Sequence, residues 1–151
     1  MGYTTKQIQR TITISKKNLL DMIIAQNKSY KHWNGKLTKA AYKSGIANLA
    51  ATALGFVFKT TSAAVAYSVI SGAVTWASTA FKKEMALEAN IGLVYLNDIL
   101  DILHNHKNYK SVQVKIPYIQ FTNLKTGKVS TVINGTGKII KFNTKTGSVP
   151  A

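Results

Sequence analysis

The stretch ANLAATALGFVFKTTSAAVAYSVISG, residues 47–72, constrains the fold more than any other, because most of its side chains are small and its single charge is Lys59. Small residues let two helix backbones approach closely, so that dispersion contacts replace the interdigitation of large side chains. Ala47, Ala51 and Gly55 recur at a spacing of four, as do Ala64, Ser68 and Gly72, and each set predicts a smooth helix-packing strip along one side of its helix. A helix from near Thr38 to Phe58, an FKTTS connection with Thr61 or Ser62 as N-cap, and a second helix through Phe81 make an antiparallel hairpin with the strips face to face.

This hairpin is poorly suited to permanent residence in a membrane. The uncharged run 60–81 is 22 residues, about 33 Å as helix and long enough for a hydrocarbon core of about 30 Å. Eight of those residues are Ser or Thr and none is Leu, so insertion gains little. The charges nevertheless suit a surface that meets lipid. Lys39 and Lys43 precede the first helix and Lys82 and Lys83 follow the second, so antiparallel packing gathers them into a collar at one end. Lys59 then stands at the tip with Phe56 and Phe58, while Tyr42, Trp76 and Phe81 are expected at headgroup level. The rival reading is that the hairpin is simply the central element of a soluble core.

Around the hairpin the periodicity changes type. Ile8, Ile12 and Ile14 alternate with polar residues and predict a strand over 7–15, after which Ser15 caps a short helix over 16–26. The polar NKSYKHWNGK at 27–36 reads as a loop, and 84–104 as an amphipathic helix with Leu96, Ile99, Leu100 and Leu103 on one face. From Tyr109 the period is two, with Val112, Val114, Ile116 and Tyr118 sharing a strand face and Pro117 implying an edge or a bulge. Strands over 128–133 and 138–142 follow, joined by NGTG as a hairpin turn. The echo N-x-K-T-G-x-V at 123–129 and 143–149 predicts two lysine-rich turns. The expectation is a single α+β domain over 1–151: strand and short helix in 1–36, the helical hairpin and amphipathic helix in 38–106, and a small antiparallel sheet in 109–151 that the N-terminal strand is placed to join.

The chain carries 20 Lys and Arg against five acids, a net charge of +15, which favours polyanions: anionic lipid, cell-wall polymers and, non-specifically, nucleic acid. Only Arg10 is an arginine, so the excess is a diffuse field of point charges rather than a set of bidentate readers. Tyr118 and Phe121 beside Lys115 and Lys125 supply a stacking surface for single strands, with no arginine-rich strip to accompany it. Cysteine is absent. His104 and His106 have only Asp101 nearby as a third metal ligand, and no nucleophile elbow or P-loop occurs, so no catalytic residue, metal or cofactor is expected and the chain does not read as an enzyme.

Residues 45–83 and 109–149, an Ala/Gly/Ser-rich hairpin with lysine flanks followed by Lys/Thr/Gly-punctuated strands, resemble in style the small exported proteins of low-GC Gram-positive bacteria, including bacteriocin-like ones that permeabilise membranes. Those are shorter and lack such a β region, and no residue role carries over. The resemblance implies a secreted protein, although residues 1–30 hold no secretory signal and a cytoplasmic location stays open. The functional expectation is a non-enzymatic cationic antibacterial or toxin-type protein that binds anionic envelopes and perturbs the bilayer with residues 45–81, including as oligomers on the membrane. The alternatives are a polyanion-binding module and an assembly component of a phage or secretion system.

Overall fold

In the computed structural model, which describes residues 2–151, the chain is α+β. Its elements run β1 (Tyr3–Ser15), α1 (Lys16–Trp33), α2 (Lys39–Ile46), α3 (Ala51–Phe58), α4 (Ala63–Trp76), α5 (Thr79–Asn105), β2 (Tyr109–Asn123), β3 (Val129–Ile133), β4 (Lys138–Thr144) and β5 (Ser148–Pro150). The N-terminal strand joins the C-terminal ones in one antiparallel sheet, pairing with β2 from Tyr3↔Asn123 to Ser15↔Ser111. Ile12 and Ile14 lie beside Val114 and Val112, and that face of β2 is buried through Ile116 to Tyr118.

The opposite edge of β2 is shared by two strands set end to end. β3 pairs with Tyr118–Thr122 and β4 with Tyr109–Lys115, so NGTG at 134–137 is not the turn of a β3–β4 hairpin but the irregular joint of an interrupted strand. Pro117 falls at this joint, in the central strand rather than at an edge. Its carbonyl accepts from Asn134 N at 3.0 Å. Because N and C=O of a strand residue point to the same side, the missing N–H faces the gap and costs no ladder bond. Gly135, at φ 100°, turns the joint outward so that its N–H reaches Glu88 O on α5. The two N-x-K-T-G-x-V turns do form, joining β2 to β3 and β4 to β5. In the first, Asn123 Oδ1 accepts from Lys125 N and Thr126 N; in the second, Thr144 and Gly147 bond each other.

The helices depart from expectation at three places, each with a polar cause. Ser15 caps α1, accepting from Asn18 N, but α1 runs on to Trp33, through most of the segment read as a loop, because Ser29 and His32 there are buried and bonded. Gln26 Nε2 donates to Ala89 O and Ile133 O, Ser29 bonds the Tyr42 hydroxyl, and His32 bonds Leu37 O and Ser71. The helix expected over 38–58 is broken at 47–50, where Asp21 Oδ2 of α1 accepts from Ala50 N at 2.9 Å and supplies the cap that Ala50 lacks. The second helix ends at Trp76, since Ser78 caps α5 by accepting from Phe81 N. Phe81, Lys82 and Lys83 therefore open α5 instead of closing α4.

A hairpin-like region remains, built from short pieces, but its strips do not face each other. α3 packs on α1 and β3, and α4 on α2, β2 and β3. Ala47, Ala51, Ala64 and Ser68 are exposed, and Gly55 is partly buried beside Thr61. Gly72 is small for another reason: a Cβ there would collide with the Tyr3 hydroxyl, which β1 lays across α4.

Candidate functional site

The end of a helix leaves its last four carbonyls without intrahelical donors. In α3 the last four are the carbonyls of Gly55, Phe56, Val57 and Phe58; Gly55 O still takes the Lys59 N–H, and each of the four accepts from a side chain of the sheet. Arg10 Nη1 of β1 donates to Gly55 O at 2.9 Å, the Tyr118 hydroxyl of β2 to Phe56 O, Thr131 Oγ1 of β3 to Val57 O at 2.7 Å and Ser130 Oγ to Phe58 O at 3.0 Å. The chain's one arginine thus sits where a cation complements the negative end of the helix dipole. Its guanidinium also lies 5.5 Å from the Tyr118 ring centroid. Burial pushes the Tyr118 phenol up to about 12, against the opposing pull of Arg10, so the hydroxyl stays protonated as a donor must.

Beyond this latch the chain turns at Lys59, the non-glycine residue with positive φ, at 59°. Its N–H closes α3 on Gly55 O and its Nζ donates to Gln120 Oε1 at 2.8 Å. The expected tip is therefore docked rather than presented. Phe58 is fully buried, Phe56 is partly buried and only Lys59 reaches solvent. By length and composition, the 26 residues Ala51–Trp76 are apolar enough to cross a membrane, with a mean hydropathy of 1.4 over an 18-residue window, yet they are folded as two helices around the bend at 59–62.

At the far end of α4, Trp76 is 43% exposed and packs on Tyr3 and Phe81 at 5.7 and 6.2 Å between centroids. Phe81 is drawn inward against Trp33 and Phe121. Of the expected collar, Lys39, Lys43 and Lys83 are exposed and Lys82 is partly buried. Lys43 Nζ lies over the Tyr67 ring of α4, 5.4 Å from its centroid. The α2 lysines thus flank one end of the 51–76 segment in sequence and the α5 lysines the other.

A second fastening joins α4 to α1. His32 Nδ1 bonds Leu37 O at 2.9 Å and Nε2 bonds Ser71 Oγ at 3.1 Å, with the ring stacked on Tyr42. A carbonyl only accepts, so Nδ1 carries the proton and the neutral ring accepts from Ser71. Burial lowers the His32 pKa and nearby Lys39 adds to that, against the Leu37 bond. Of the residues in these fastenings the sequence marked Gly55, Phe56 and Phe58 as hairpin residues, Arg10 as the one arginine, and Tyr118 with Phe121 as a stacking surface, which is instead fully buried. His32, Ser71, Ser130 and Thr131 carried no signal.

A groove of about 690 Å³ lies between the first turns of α5 and the β1–β2 ribbon, with Glu84 and Glu88 on one wall and Gln7 and Gln9 on the other. Among the described residues no group of three His, Asp or Glu is placed to hold a metal. None of the family models, curated proteins or solved structures compared with the chain matches it.

Proposed function

We propose that this is a non-enzymatic, cationic membrane-acting protein of the antibacterial or toxin type, in which residues 51–76 are held folded in two until the chain meets an anionic surface. One observation carries the reading. Three of the carbonyls bonded to the sheet, those of Phe56, Val57 and Phe58, are the ones that the N–H groups of Thr60, Thr61 and Ser62 would take if α3 and α4 were one helix. Lys59 N already bonds Gly55 O. Freed from the sheet, the segment can replace every lost bond from within itself, which is the condition for entering a medium without water.

The continuous helix is 26 residues, about 39 Å. Lys39 and Lys43 before it and Lys82 and Lys83 after it hold both ends at the surface of approach, and Lys59 reaches the headgroups from its middle. Such a helix lies in the near leaflet and spreads it, without carrying either flank across. The test is dye release from vesicles containing phosphatidylglycerol, beside phosphatidylcholine vesicles. Release from the anionic vesicles at micromolar protein is expected, faster for Ser130→Ala with Thr131→Val and slower for Lys59→Gly. No release, or rates indifferent to all three substitutions, overturns the proposal.

A further inference from the structure

Nine large apolar side chains are exposed among the described residues, and five of them lie on the helix pair α1 and α5. Leu20 and Ile24 are 46% and 42% exposed on α1; Leu87, Ile91 and Val94 are 60%, 36% and 53% exposed on α5. The spacings of four on α1, and of four and three on α5, make each set a ridge along its helix. The helices are antiparallel: Gln26 bonds Ala89 O, while Asn34 and Tyr30 border the same cleft as Lys83 and Leu87. At 1.5 Å per residue from these anchors, Ile24 stands level with Ile91 and Leu20 a turn further on, near Val94. Two apolar ridges thus run side by side over a valley floored by Ile23, Asn27 and Asn90.

The charges on this face decide its occupant. Glu84 and Glu88 of α5 line the groove against the β1–β2 ribbon and Lys83 borders the α1/α5 cleft, but at the other end of the face α5 carries the exposed Asp98 and Asp101 and α1 the exposed Lys16 and Lys17. In the antiparallel register Lys16 and Lys17 are level with Asp98 and Asp101. In a chain of net charge +15, this end of the face sets a pair of acids and a pair of lysines beside the apolar ridges.

We infer that the α1/α5 face is the interface of a homodimer in solution, two copies related by a twofold axis running along the helices between them. That operation lays α1 of one copy over α5 of the other, antiparallel and at the same level. Leu20 and Ile24 meet the ridge of Ile91 and Val94, Lys16 and Lys17 meet Asp98 and Asp101, and both contacts occur twice because the interface is isologous. The two helix pairs then form a four-helix arrangement with the apolar ridges at its centre. Nothing in this depends on the membrane proposal, since the interface lies outside residues 51–76 and is read without lipid.

Sedimentation equilibrium from micromolar to millimolar protein tests it, with circular dichroism to verify that each variant is folded. The wild type is expected as a dimer. Val94→Asp, and separately Asp98→Lys with Asp101→Lys, raise the dissociation constant at least about tenfold. Adding Lys16→Glu and Lys17→Glu to the second variant restores the dimer, which a merely structural role for Asp98 and Asp101 would not produce. A wild type that is monomeric at millimolar concentration, or a charge exchange that fails to restore association, overturns the inference.

Discussion

Lys59 is a residue whose backbone fits the bend and whose side chain does not require it. An L-residue in the left-handed region costs about 1–2 kcal/mol relative to glycine, the usual occupant just past a helix end. Lys59→Gly is therefore expected to stabilise the bent form, raising the melting temperature by about 2–8 °C for a chain of this size. It also weakens membrane activity, since glycine disfavours the straightened helix by about 1 kcal/mol. Arg10 acts in the opposite sense. Arg10→Ala removes a charge-assisted bond to Gly55 O and a cation at the helix C-terminus, an expected loss of about 1.5–3 kcal/mol in chemical denaturation, together with faster dye release. At Gly72, alanine forces the Tyr3 ring off α4, and overpacking of this kind costs about 1–3 kcal/mol. Tyr3→Phe, which removes the nearest colliding atom, is expected to return part of that loss.

At the scale of elements, the fastening between α1 and α4 is pH-sensitive through His32, whose folded pKa lies below its unfolded value of 6.5. The unfolded chain then binds the proton more readily, so His32 contributes stability above pH 6.5 that is lost as pH falls toward the folded pKa. Protonation places a charge in a buried site beside Lys39 and loosens the ring from Ser71. The urea midpoint is expected to drop between pH 7.5 and 5.5, and to drop less in His32→Asn; equal slopes for the two proteins would exclude His32 as the cause. The same side chain explains why much of α1 was not legible in the sequence. Ser15, the Ile8/Ile12/Ile14 alternation and the Val112–Tyr118 face each reported their structure directly, because local chemistry and a single buried face determined them. Residues 27–33 read as a loop because Gln26, Ser29 and His32 are polar, and only tertiary partners on α2, α4, α5 and β3 make that polarity internal. The break before Ala50 has no local signal at all, since its cap is Asp21, 29 residues earlier. NGTG carries the composition of a hairpin turn, but the partner of both flanking strands is β2, a fact of topology that turn chemistry cannot encode.

For the whole molecule, the proposed function makes the two halves of 51–76 and the sheet on which both pack one two-state device, and hydrogen exchange reads its position. In the folded protein Lys59 N bonds Gly55 O and Ser62 N bonds the Thr60 side chain, while Thr60 and Thr61 stand in an exposed bend without helical acceptors. In the straightened helix the amides of Thr60, Thr61 and Ser62 bond the carbonyls of Phe56, Val57 and Phe58, so all three become slow. In the proposed change these carbonyls exchange the side chains of Tyr118, Thr131 and Ser130 for helical N–H donors. Protection at 60–62 must therefore rise as the hydroxyls of these three residues are released, and β3, held to β2 over only five residue pairs, is expected to exchange faster at the same time. Mass spectrometry of the protein on phosphatidylglycerol vesicles would show the exchange of 59–62 slowing while that of 129–133 quickens, with no such change on phosphatidylcholine. Slowing at 59–62 with β3 unchanged would mean that lipid covers the bend without opening the latch. Identical exchange in both regions would mean that the segment stays folded in two at the surface, and that the lysines bind lipid without releasing it.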